Sequence, residues 1–185
     1  FQYPFYKDEI LPIGNLREDK SSAKRADTIV VTKCPDNLSQ KDKQLFLTSL
    51  NPLEKQKVFF SSLTYLQKIK SESEEIDIDV LKDDNFILVT GIADSSYLVN
   101  FLKLKGLDFK HLKYSDHYNF KKSSVDKISE LSLNKKILTT EKDFGRLSPK
   151  VKNRDIFYIE VGLRFPKEIN DLDFNTYIEE YINKD

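Results

Sequence analysis

"FILVTGIADSSYLVNFLKLKGLDFKHLKY" (residues 86–114) decides the fold. Its opening, "FILVTGI" (86–92), is the most continuous strand candidate in the chain. In "SSYLVNFLKLKG" (95–106), Tyr97, Leu98, Phe101 and Leu102 recur at helical spacing, and Gly106 stands as the terminator. "FKHLKY" (109–114) then reads as a strand again. Strands separated by helices of about ten residues imply right-handed crossovers and a mostly parallel sheet.

The same alternation extends both ways. Upstream, "TIVVTK" (28–33) is a β-branched, buried-strand candidate. "SQKDKQLFLTSL" (39–50) predicts a helix capped by Ser39, with Leu47 and Leu50 on one face with Lys43 and Phe46. "KVFFSSL" (57–63) is a strand. Downstream, "SSVDKISELSL" (123–133) is a helix with Val125, Ile128 and Leu131 at intervals of three. "KKILTT" (135–140) and "IFYIEVG" (156–162) are further strands, and "FNTYIEEYI" (174–182) closes as an amphipathic helix. The predicted class is α/β: a mainly parallel β-sheet with helices on both faces, a Rossmann-like three-layer arrangement over residues 28–185. Residues 1–27 lack periodicity and read as an extended or β-hairpin arm. The charged stretch "QKIKSESEEIDIDVLKDDN" (67–85) reads as an exposed connection, with "IDIDV" a candidate edge strand. No internal repeat is visible.

Composition narrows the function classes. Apolar residues make up 39% of the 185, enough for a real core. Lys and Arg number 30, as do Asp and Glu, so net charge gives no electrostatic case for a nucleic-acid partner. No apolar run approaches the roughly 20 residues that span a bilayer. Cys34 is the only cysteine, so no internal disulfide forms. There is no methionine, which raises the expectation that part of the protein lies outside this chain.

Ligands of parallel α/β sheets sit beyond the carboxyl ends of the strands. Thr90–Asp94, Ser115-Asp116-His117 and Thr139–Asp143 all follow strands and would project from one sheet edge. In "SDHYNF" (115–120), two readings stand for His117. Either its imidazole faces the cleft and exchanges a proton with a carboxylate from elsewhere, or Asp116 caps a turn and His117 is merely exposed. Adjacent residues of an extended chain point in opposite directions, so Asp116 is not expected to orient His117 directly. "TTEKD" (139–143) offers hydroxyls, carboxylates and an ammonium for phosphate or metal, or else opens a helix with Thr140 as cap and Asp143 in the first turn. In "LRE" (16–18), Arg17 suits bidentate phosphate recognition, and a surface salt bridge with Glu18 is the alternative. His111 lies inside a strand and reads as structural; Cys34 reads as a small, partly buried residue. "GNLREDKS" (14–21) has the length of a phosphate-binding GxxxxGK[ST] loop, but Asp19 replaces its second glycine and would face phosphate charge. There is no GxGxxG and no zinc set.

Taken in order, "ILPIGNLRE", "KRADTIVVTKCP", "VTGIADSSYLVNFL", "YSDHYNF" and "TTEKDFGRL" resemble the C-terminal half of the tetraacyldisaccharide 4′-kinases, the lipid A 4′-kinases. Asn15 stands where many members have proline, and "GIADSS" lacks the proline common after "GIA"; neither change removes a functional group. The resemblance implies two α/β domains joined by a β-strand linker. It implies transfer of the γ-phosphate of ATP, with Mg²⁺, to the 4′-hydroxyl of a lipid A disaccharide 1-phosphate. It also implies a cytoplasmic location, peripheral at the inner membrane of Gram-negative bacteria. On this resemblance, residues 1–27 form a linker arm to an N-terminal P-loop domain that this chain lacks. That missing half holds most of the ATP and Mg²⁺ and meets the membrane surface. The expected sites are then His117 and Asp116 for catalysis, with His117 paired to an aspartate of the missing half. Arg17, Glu18, Thr140, Glu141 and Lys142 are expected for substrate or phosphate, with no metal ligand and no nucleic-acid partner. A free-standing α/β module that binds a nucleotide or sugar phosphate at its sheet edge is the alternative, and this chain alone is expected to be inactive.

Overall fold

The computed structural model describes residues 4–152, 154–166 and 173–183. The chain forms two compact units, Phe1–Thr64 with Leu163–Asp185, and Tyr65–Gly162.

The first unit holds β1 (Thr28–Val31), α1 (Gln40–Leu50) and β2 (Lys57–Phe60). β1 and β2 pair in parallel, with Thr28 opposite Lys57 and Val31 opposite Phe60. Ser39 caps α1 as the sequence predicts, its hydroxyl accepting from the Asp42 N–H at 3.1 Å. Cys34 is 5% exposed, and burial pushes its thiol up. Ahead of β1, Leu16 and Leu11 close a loop: the Leu11 N–H donates to the Leu16 carbonyl and the Leu16 N–H to the Glu9 carbonyl, both at 2.9 Å. Only a glycine fits at 14, because a Cβ there would lie 2.3 Å from the Glu9 carbonyl oxygen. A 3-10 helix over Lys20–Arg25 follows.

The second unit holds most of a six-stranded sheet. Its strands are β3 (Ser62–Lys70), β4 (Glu75–Asp77), β5 (Phe86–Thr90), β6 (Phe109–Lys113), β7 (Ile137–Thr140) and β8 (Ile156–Arg164), in the order β4-β3-β8-β7-β5-β6. The helices α2 (Ser96–Leu104), α3 (Lys122–Leu131) and α4 (Glu141–Leu147) lie between strands in the sequence. β5 pairs in parallel with β6 and β7, and β7 with β8; β3 and β4 are antiparallel. α5 (Phe174–Ile182) returns to the first unit, where the Tyr177 and Thr28 hydroxyls lie 2.9 Å apart.

Alternation along β5 explains the layers. Phe86 and Leu88 face a cluster with Leu98 and Leu102 of α2. Ile87 and Val89 face the opposite cluster, with Ile128 of α3 and Leu147 of α4. Helices therefore cover both faces of a mostly parallel sheet, as the 86–114 pattern predicts. Burial of one Leu or Ile is worth about 1.5–3 kcal/mol, against at most about 1 kcal/mol for an exposed ion pair. The two apolar faces hold the layers together.

In the charged stretch 67–85 the edge-strand candidate holds in part, since β4 is the edge of the sheet and includes Ile76 and Asp77, while the exposed-connection reading is corrected. β3 runs into this stretch as far as Lys70, and β4 takes up Glu75–Asp77. Ile78 and Leu81 are fully buried in a 3-10 turn. Charge did not exclude a strand here because it is paired across strands: Lys68 meets Glu75 at 2.8 Å, and Lys70 meets Glu160 of β8 at 2.8 Å.

Candidate active site at a sheet edge

Three loops meet at the carboxyl ends of β5, β6 and β7. The Tyr114 N–H donates to the Thr90 carbonyl at 2.7 Å, and the His117 N–H to the Gly91 carbonyl at 3.1 Å. The loop after β6 is thus tied to the end of β5. His117 adopts φ +54°, a left-handed conformation rare for a non-glycine residue. That conformation overturns the extended-chain reading of the Asp-His pair. Asp116 and His117 do not diverge: Asp116 Oδ2 lies 3.9 Å from His117 Nε2, and both side chains meet Lys142. Lys142 Nζ is 3.1 Å from Asp116 Oδ1 and 3.2 Å from His117 Nε2.

The cluster is open to solvent, with the His117 side chain 72% exposed. The Lys142 ammonium, hydrogen-bonded to Asp116, holds that carboxyl below the usual carboxylate range. Asp116 Oδ1 also accepts from the His117 N–H at 3.0 Å, so one carboxylate shapes the turn and anchors the cation.

Thr140 caps α4. Its hydroxyl accepts from the Asp143 N–H at 3.2 Å and donates to Asp143 Oδ2 at 2.8 Å. Glu141 and Lys142 are the exposed first residues of that helix. Asp143, beside them, is fully buried, a placement the sequence reading missed. Its Oδ2 accepts from the Gly91 N–H at 2.7 Å, and its Oδ1 meets Arg146. Arg146 also donates to the Gly91 carbonyl at 3.3 Å. The signal was the spacing Thr140-x-x-Asp143-x-x-Arg146, which puts cap, carboxylate and guanidinium on one helix face.

Arg17 and Glu18 belong to the other unit. Both are exposed and, with Asp19 and Lys20, line an open cleft of about 350 Å³. Glu18 pairs with Arg25 at 2.5 Å, and Arg17 has no hydrogen bond or ion pair among the described residues. The near-miss loop is not a phosphate cradle: Asp19 caps the 3-10 helix, accepting from the Ser21 N–H at 2.8 Å. His111, inside β6, shares a 2.8 Å contact with the Thr90 hydroxyl, and burial pushes its imidazole down. Among the described residues, no group of three His, Cys, Asp or Glu is placed to hold a metal ion. Among them, too, no helix is long and apolar enough to cross a membrane.

Comparison with known proteins identifies the family. The family model for tetraacyldisaccharide-1-P 4′-kinase matches residues 1–180. The tetraacyldisaccharide 4′-kinase of Flavobacterium psychrophilum is 36% identical over 182 residues, covering 96% of this chain and 51% of that protein. That of Flavobacterium johnsoniae is 32% identical over 177 residues, again 96% and 51%. The chain spans about half the length of these relatives. The fold is that of the "apo" form of LpxK from Aquifex aeolicus in complex with ATP, with a TM-score of 0.63 and 21% identity, over 96% of this chain and 48% of that one. By sequence and by fold, the chain belongs to the tetraacyldisaccharide-1-P 4′-kinase family.

Proposed function

We propose that this chain is the C-terminal part of a kinase that moves the γ-phosphate of ATP to the 4′-hydroxyl of tetraacyldisaccharide 1-phosphate. The observation that carries this reading is the Asp116–His117–Lys142 cluster at the carboxyl ends of parallel strands. As phosphate is transferred, the sugar hydroxyl must lose its proton. His117, exposed and held by its backbone, accepts that proton together with a carboxylate supplied from outside these residues. Lys142 is the phosphate-binding ammonium, held beside His117 by its bond to Asp116. Arg17, with neither hydrogen bond nor ion pair among the described residues, contributes a guanidinium for phosphate, and Glu18 and Glu141, its and Lys142's chain neighbours, contribute carboxylates. Thr140 acts by holding the turn that presents Glu141 and Lys142.

Among the described residues no three His, Cys, Asp or Glu converge, so a Mg²⁺ ion that meets this chain would take at most one or two carboxylates from it, such as Glu18 or Glu141, with phosphate oxygens completing its shell. ATP and the metal are held mainly by a P-loop domain outside these residues, joined through the 1–27 arm. The enzyme works at the cytoplasmic face of the inner membrane, which it meets through that other part. The deciding experiment compares the isolated 185-residue chain with the full-length polypeptide in an ATP-dependent assay on tetraacyldisaccharide 1-phosphate. Turnover is expected only from the latter, and turnover by the isolated chain overturns the reading.

A further inference from the structure

Asp143 is buried beyond what a helix cap requires. Thr140 caps α4, and the Asp143 carboxylate, which accepts the Thr140 hydroxyl at 2.8 Å, reaches another element as well. Its Oδ2 takes the Gly91 N–H at 2.7 Å, while Arg146 takes the Gly91 carbonyl at 3.3 Å. Both backbone polar groups of Gly91 are thus held by one ion-paired couple on α4. That same carbonyl accepts the N–H of His117 at 3.1 Å. The approach is close: a Cβ on Gly91 would lie 3.0 Å from Asp143 Oδ1. Arg146 makes these contacts while its buried Nε has no partner, so its hydrogen bonding is not maximised where it sits.

We propose that Asp143 and Arg146 are positioning residues for His117, fixing through Gly91 the carbonyl from which the left-handed His117 backbone hangs. The inference rests on the catalytic reading of His117. An imidazole on a loop with a rare backbone conformation needs such an external hold, and a displacement of about 1 Å at a reacting group costs on the order of 10²-fold in rate.

The test is a double-mutant cycle in the full-length polypeptide, reading kcat and the KM for ATP and for the disaccharide 1-phosphate. Asp143→Asn is expected to lower kcat by roughly 10- to 100-fold with both KM values little changed. In a His117→Ala background the same substitution should cost less than about 2-fold, because there is no imidazole left to misplace. Gly91→Ala keeps every charge and moves the contact by tenths of an ångström. It should give a smaller kcat loss that also disappears without His117, and it keeps the test decisive if Asp143→Asn fails to fold. Equal losses in both backgrounds, or losses confined to KM, overturn the positioning role while leaving His117 catalytic. Normal kcat for His117→Ala alone overturns the catalytic reading itself, and the positioning role with it.

Discussion

The Lys142 ammonium lies 3.2 Å from His117 Nε2. An ammonium has donors only, so a hydrogen bond at this contact uses the Nε2 lone pair. The same ammonium is 3.1 Å from Asp116 Oδ1, so two groups expected in different roles form one cluster.

Removing the cation should be visible in Asp116. Lys142 is the largest cause of the lowered Asp116 carboxyl, so Lys142→Met should raise its titration midpoint toward the ordinary 3.8. The carboxyl carbon shift, followed by NMR between pH 6 and 2.5, reads this directly. An unmoved midpoint would show that the ion pair is not populated in solution.

His111 predicts a pH dependence of stability. Burial lowers its imidazole below the ordinary 6.5. The unfolded chain then takes up the proton first, so this stability is complete above pH 6.5 and is lost as pH falls through the lowered folded value. His111→Gln should flatten the fall in melting temperature between pH 7 and 5 relative to the parent, while total stability at pH 8 drops through the altered contact with Thr90. Parallel curves for the two proteins would refute the assignment.

Much of this fold is legible because its patterns are local. Phe86 to Val89 alternate between the two cores, and Leu98 and Leu102 are a helical turn apart, so β5 and α2 follow from spacing alone. β3 escaped because Lys68 and Lys70 find their carboxylates on Glu75 and Glu160, partners that only strand order reveals. The site behaves alike. His117 and Lys142 could be placed at one sheet edge from their strands, but φ +54° at a histidine has no sequence signature, and it is this angle that turns Asp116 and His117 toward Lys142. The burial of Asp143 depends on Gly91, which lies 52 residues away in the chain.

Thr140 separates architecture from chemistry. Its hydroxyl both receives the Asp143 N–H and donates to the Asp143 carboxylate, and the residue is 6% exposed. Thr140→Val keeps the shape and deletes both bonds. The loss should be about 1–2 kcal/mol of unfolding free energy, the scale of a helix cap plus a partly unsatisfied buried acceptor. Chemical denaturation of the 185-residue chain measures it. A loss under a few tenths of a kcal/mol would mean that the cap is replaced by water.

The last prediction weighs His117 against Asp116. In the full-length polypeptide, His117→Ala should lower kcat by roughly 10²–10³-fold, the scale of a lost acid–base group. The KM for ATP should change little, since in the proposed function the imidazole acts on the sugar hydroxyl and not on the nucleotide. Asp116→Asn should do less, about 10-fold or under, because Asp116 supports the turn and the cation through hydrogen bonds each worth about 1 kcal/mol net. Neither substitution touches the apolar clusters, so melting temperatures should stay close to the parent's. Near-normal kcat for His117→Ala would reduce the cluster to a surface turn. Equal damage from both substitutions would instead place the Asp116 carboxylate in the proton transfer itself.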